Sequence, residues 1–249
     1  MNNITYAFIL TSIAGASTLI GLLPIFFKVK NENKLISMSC SFASGIIISI
    51  SMFDLMPESI HYIRERFSFI PTIIIVITSI FIGIILSMIL DHYVEKKSSN
   101  NSLYKVGLLS MIAIILHNIP EGIVTFIVSS KDISLGIPLT LAIAMHNIPE
   151  GISIGIPIYY SQKSSSKAFW YTFISAISEP FGALITYLFL KNIITNTSLG
   201  ILFAIIAGIM LQISTCKLLP TSLNYNYKKS SVIYFIVGFI FMFIILFFN

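Results

Sequence analysis

Eight long apolar runs fill most of this 249-residue sequence and leave few folds open to it. They are Ile4 to Phe27, Leu35 to Met56, Ile70 to Leu90, Val106 to Val128, Leu135 to Tyr160, Ala168 to Leu190, Leu199 to Leu219 and Val232 to Phe248. A helix needs about 20 mostly apolar residues to cross the hydrocarbon core. Backbone in lipid must also satisfy its own hydrogen bonds, which favours helices. The links are short, so no soluble domain is inserted. The sequence therefore predicts an all-α polytopic membrane protein, one domain over residues 1–249 with eight transmembrane helices. Only 10% of the residues are charged, whereas soluble domains carry about 25%.

The links after runs 1, 3, 5 and 7, together with Lys217 at the end of run 7, hold 11 of the 15 Lys and Arg residues, and the other links hold 4. The positive-inside rule then places both termini outside. The N-terminus has no basic n-region, so the first run reads as a retained span and not a removed signal peptide. Cys40 and Cys216 support neither a disulfide framework nor a thiolate metal site. The net charge of +5 is loop charge and gives no reason to expect nucleic acid.

One hexapeptide occurs twice without change: His117-Asn118-Ile119-Pro120-Glu121-Gly122 and His146-Asn147-Ile148-Pro149-Glu150-Gly151. The first copy is centred between Lys105 and Lys131, and the second between Lys131 and Lys163. A third acid, Glu179, lies midway between Lys167 and Lys191. Lysines mark where spans meet water, so three carboxylates and two histidines are expected near the membrane midplane. A second, looser repeat pairs Gly45 to Ser59 (GIIISISMFDLMPES) with Gly208 to Ser222 (GIMLQISTCKLLPTS). Runs 2 and 7 cross in opposite directions, as do runs 4 and 5, which is the pattern of inverted repeats about an axis in the membrane plane.

On a helix, residues at i and i+4 share a face, so His117 is expected beside Glu121 and His146 beside Glu150. Asn118 and Asn147 flank the same carboxylates. Pro120 and Pro149 free the carbonyls of Leu116 and Met145 and permit a kink. No Lys or Arg lies within runs 4, 5 or 6. Intramembrane acids without a basic partner need protons or bound cations to neutralise them. Imidazole beside carboxylate suits borderline transition metals, while sodium, calcium and magnesium prefer oxygen alone. Zinc, iron(II), manganese, cobalt and nickel all remain open on this ligand set.

These residues resemble the ZIP (Zrt-/Irt-like protein) family of divalent metal transporters, closest to its bacterial ZupT-like zinc-uptake branch. The likeness covers essentially the whole chain. It implies a binuclear centre, with His117, Glu121, His146 and Glu150 at one metal position. Asn118, Glu121, Asn147, Glu150 and Glu179 match the other, and Glu121 and Glu150 bridge the two. It also implies a 3+2+3 inverted-repeat bundle. Asp54 and Glu58 match acidic entrance positions, with Pro57 between them marking the helix end, and His61 and Glu65 continue the spacing. Lys217 departs from the family pattern, since many relatives carry an acid there; a lysine at that depth is expected to snorkel to the interface. The link holding Asp91, His92 and Glu95 is shorter and poorer in histidine than is usual.

The implied function is uptake of divalent transition metal, zinc foremost, into the cytoplasm across a bacterial cytoplasmic membrane. Zn²⁺ is then cargo and not a cofactor, with Fe²⁺, Mn²⁺, Co²⁺, Ni²⁺ and Cd²⁺ as further candidates. The expected partners are divalent ions and the lipid bilayer, with a homodimer as an option and no nucleic acid. The alternatives are a metal-selective cation channel or a broad-range importer. An intramembrane metalloprotease would carry HExxH. Here Asn118 and Asn147 stand where its glutamate base would be, so no enzyme is expected.

Overall fold

The computed structural model describes residues 3–97, 101–190 and 195–247. Lys191, which bounds the third midplane acid in the sequence, and Phe248, the end of the eighth run, lie outside the described residues. The described chain is helical, and eight helical rods follow the apolar runs. We label them α1 (Asn3–Phe26), α2 (Glu32–Arg64), α3 (Phe69–Lys97), α4 (Ser102–Lys131), α5 (Ile133–Gln162), α6 (Ser165–Phe189), α7 (Asn196–Leu223) and α8 (Lys228–Phe247). Seven are long and apolar enough to cross a membrane. The eighth, α5, matches α4 in length, at 30 residues, but its second hexapeptide and three prolines dilute its apolar content.

Polar residues outside the apolar runs start the helices. Asn31, Asn101, Asp132 and Ser164 each accept a backbone N–H from the first turn of α2, α4, α5 and α6. Thr195 and Ser198 form a reciprocal capping box at α7. Such caps satisfy donors that a helix start otherwise leaves orphaned. Asp132 alone links α4 to α5, as C-cap of one and N-cap of the other. Its carboxyl is held below the usual range by the Ser134 hydroxyl and backbone N–H.

Pro57 does not end its helix. A π-helical turn, Ser51–Leu55, precedes it, and the helix then runs on to Arg64. The wider turn takes up the missing N–H and the ring of the proline without breaking the rod. The second repeat does the same at its matching residues, with a π turn at Ser214–Leu218 before Pro220. Pro120 and Pro149, by contrast, sit within continuous α-helix.

The rods pack as two four-helix groups. Helices α1, α4, α5 and α6 form one, and α2, α3, α7 and α8 the other. The groups meet chiefly where α2 faces α5 and α4 faces α7. Within each group, glycines bring backbones together. A Cβ on Gly122 would lie 1.9 Å from the Glu179 carbonyl oxygen, and one on Gly151 would lie 1.9 Å from that of Thr18. Gly182 meets the carbonyl of Ile119, and Gly21 that of Ile148. In the second group Gly45 and Gly238 close on Phe235 and Phe42, while Gly208 and Gly83 close on Ile80 and Ile205. Each contact has a counterpart in the other half of the chain, Gly122 with Gly151, Gly182 with Gly21, Gly45 with Gly208 and Gly238 with Gly83.

The outward faces of α3 and α8 are apolar. Phe81 is 60% exposed and Ile233 57%, side chains that lipid solvates and water does not. The largest apolar core lies toward the lysine-rich end and includes Ile46, Leu109, Ile114, Ile154 and Met210.

Candidate metal centre

All seven side chains singled out at the midplane are buried in the first helix group. His117, Asn118 and Glu121 come from α4, His146, Asn147 and Glu150 from α5, and Glu179 from α6. The repeated hexapeptide places each set on the inward face of its helix, and Gly122 and Gly151 let the neighbouring helices close over it.

The histidines pair across helices more than along them. His146 Nε2 lies 2.8 Å from Glu121 Oε1. His117 Nε2 lies 3.2 Å from the same oxygen and 3.5 Å from Glu150 Oε1. The expected pair within α4, His117 and Glu121, is therefore present. For α5 the close partner of His146 is Glu121 on the other helix, because the crossing of α4 and α5 brings the two faces together. Single ligand atoms of His117, Glu121 and His146 all lie within 4.8 Å of one another. That is the spacing of groups that can hold one ion.

The amides are oriented by their donors. Asn147 Nδ2 donates to Glu179 Oε2 at 2.8 Å and to the Ala14 carbonyl at 3.0 Å. Asn118 Nδ2 donates to the Ser175 carbonyl at 3.1 Å. With the NH₂ groups so engaged, both Oδ1 atoms are left as free acceptors, buried and without a partner.

Seventeen buried side-chain polar atoms among the described residues lack a hydrogen-bond partner, and nine of them belong to these seven residues. Each such atom costs about 1–3 kcal/mol if nothing satisfies it. A polar network that merely locked helices together would be closed on itself. This one leaves acceptor oxygens without hydrogen-bond partners, namely both Glu150 oxygens, Glu121 Oε2, Glu179 Oε1 and the two amide oxygens, beside two imidazoles that each offer one ring nitrogen as acceptor when neutral. That donor set fits a divalent cation with mixed nitrogen and oxygen preference.

Asp54 and Glu58 stand on α2, in the other helix group. They line a cavity of about 250 Å³ together with Glu121. Asp54 lies within electrostatic range of His146, Glu121 and His117. A larger cavity of about 660 Å³ adjoins it through Tyr62, Val124 and Val128 and reaches Lys131 and Asn196. His61 is exposed, and Glu65 accepts a hydrogen bond from Asn196.

Lys217 does not simply snorkel. Its Nζ lies 2.5 Å from Asp91 Oδ2 and 3.5 Å from Glu95 Oε1, at the lysine-rich end of α3. The spacing of α3 carried no sign of this, because the contact is made across helices. The side chains of Lys217 and Asp91 are 22% and 18% exposed, between the surface and the buried cases. Lys217→Gln is thus expected to cost about 1–3 kcal/mol, and Asp91→Asn in that background to restore part of it. Thermal unfolding of the two singles and the double in detergent gives the coupling. Additive effects would show the pair to be energetically idle.

The model of the family described as ZIP zinc transporter matches residues 95–246. A protein described as zinc transporter ZupT from Clostridium perfringens is 36% identical, the match covering 97% of this chain and 95% of that one. Those of the same description from Streptococcus mutans and Akkermansia muciniphila are 38% and 34% identical. Their matches cover 93% and 98% of this chain, and 92% and 98% of the relatives. A family match over more than half the sequence, with such relatives along nearly its whole length, places this multi-pass membrane chain in the ZIP zinc transporter family.

Proposed function

We propose that the protein carries divalent transition-metal ions, zinc foremost, from outside into the cytoplasm by alternating access. The single observation that carries this is the buried cluster of His117, Glu121 and His146, whose ligand atoms lie within 4.8 Å of one another, with no Lys or Arg in the apolar runs of α4, α5 and α6. In this reading a hydrated ion enters the outer cavity, where Asp54 and Glu58 offer charge and Glu121 stands at its inner limit. It exchanges water for His117, Glu121, His146 and Glu150. A second ion takes Asn118, Asn147 and Glu179 together with the shared Glu121 and Glu150. Carboxylates that bridge can also let go, which suits binding firm enough to offset dehydration yet weak enough for release. The cell membrane is the setting, and each chain holds a full ligand set whether it works alone or as a homodimer.

The apolar core at the lysine-rich end favours a carrier over an open channel. Ile46, Ile114 and Ile154 are fully buried there, in the largest apolar core of the described residues. The test is uptake into vesicles of a panel of divalent metals by wild type, Glu150→Ala and Glu179→Ala. Saturable flux that both substitutions reduce by at least about tenfold is expected, since lost metal-site groups cost that much or more. Equal flux in all three proteins would refute the reading, and conductance without saturation would make the protein a channel.

A further inference from the structure

The inverted repeat gives Glu179 a counterpart. The Glu179 carbonyl packs on Gly122 of α4, and the Thr18 carbonyl packs on Gly151 of α5 at the same 1.9 Å to a built Cβ. Ser178 Oγ donates to the Ser175 carbonyl, and Ser17 Oγ to the Ala14 carbonyl, both at 2.6 Å. Those two carbonyls are in turn the acceptors of Asn118 and Asn147. Thr18 therefore stands toward α5 as Glu179 stands toward α4. Glu179 accepts from Asn147, and the same correspondence assigns Asn118 to Thr18.

The Thr18 side chain is fully buried, and its Oγ1 has no hydrogen-bond partner. Buried hydroxyls in helices usually bond the carbonyl three or four residues back, as Ser17 and Thr11 do here. Thr18 is also the residue at which α1 changes from α-helix to a nine-residue 3₁₀ stretch, and 3₁₀ runs that long within a helix mark strained or functional places. Three counterpart pairs thus contribute seven unpartnered oxygens: Thr18 with Glu179, Asn118 with Asn147, and Glu121 with Glu150, which supplies two.

We propose that Thr18 is a positioning residue of the all-oxygen metal position, its hydroxyl holding a water that serves as the sixth ligand of the ion. The inference rests on the transport reading above. A threonine side chain ends two atoms short of a glutamate carboxylate, a difference that one water spans. Five protein oxygens and a water make the octahedral set that manganese-like ions accept. The neutral hydroxyl also keeps the site at three carboxylates. An ion that retains a water sheds less hydration on arrival and needs less on leaving.

The test uses the purified full chain and Mn²⁺ as probe, with binding followed by calorimetry and by the electron paramagnetic resonance of the bound ion. Wild type is expected to show two binding events. Thr18→Val should weaken the all-oxygen event by about 10–100-fold, the usual loss for a group that supports a ligand, and leave the histidine-containing event unchanged. Thr18→Ser should stay within about twofold of wild type by the same reasoning. A diffraction measurement on wild-type crystals soaked in Mn²⁺ needs no variant. It should place an oxygen ligand of the ion about 2.8 Å from Thr18 Oγ1. Two events unchanged by Thr18→Val, or a Thr18 hydroxyl turned to a backbone carbonyl beside a bound ion, overturn the assignment alone. Wild type that takes up no metal overturns the transport reading and this assignment with it.

Discussion

Replacing Glu121 by glutamine is expected to lower metal uptake at least about 100-fold, more than any other single exchange at the centre. Glu121 Oε1 lies within 3.2 Å of both imidazoles, and its Oε2 is free for a second ion. Glutamine keeps the size but removes a negative charge, and its NH₂ presents hydrogens where a cation needs lone pairs. Both metal positions suffer together. Glu179 offers its free oxygen to one position only, so Glu179→Gln should be the milder change. Initial rates of zinc uptake at matched protein levels, with calorimetric titration of the same variants, decide the order. A Glu179→Gln defect larger than that of Glu121→Gln would mean that Glu121 does not bridge.

Alanine at Gly122 or at Gly151 should destabilise the protein by about 3 kcal/mol, the upper range for overpacking. The built Cβ lies 1.9 Å from a carbonyl oxygen in each case, and backbone in a helix cannot turn aside. At about 2–4 °C per kcal/mol for a chain of this size, the unfolding midpoint in detergent should fall by about 6–12 °C. Gly155→Ala is the control. Its nearest neighbour is Leu22 Cδ2 at 2.4 Å, the tip of a side chain that can change rotamer, so a loss of about 1 kcal/mol or less is expected. Gly122→Ala should also displace Glu179 and reduce uptake. Equal midpoints for all three variants would show that the helices separate readily at these glycines.

Much of this was legible in the sequence because hydrophobic length and lysine position report depth directly. The eight runs each match a helix to within a residue at the ends described, and the two hexapeptides with Glu179 supply the seven side chains buried together in one helix group. The helices extend past the apolar runs, α2 to Arg64 and α3 to Lys97, because water at the rim solvates polar helical turns that hydropathy cannot distinguish from loop. The cross-helix partners of His146 and Lys217 depend on how helices cross, which no single helical wheel contains. Thr18 was missed for a related reason. A lone threonine in an apolar run carries no charge signal, and only the carbonyl contacts of Gly122 and Gly151 identify its counterpart.

The glycine contacts also sort the molecule mechanically. The nearest neighbours of every glycine lie in its own helix group, and none reaches across from α1, α4, α5 and α6 to the rest. Interlocked backbones resist shear, whereas side chains meeting tip to tip slide over one another with rotamer changes alone. The seam between α5 and α2, and that between α4 and α7, has no such glycine contact across it. Cargo held wholly by one rigid body, beside an acid such as Asp54 fixed on the other, would be passed along by slippage at that seam.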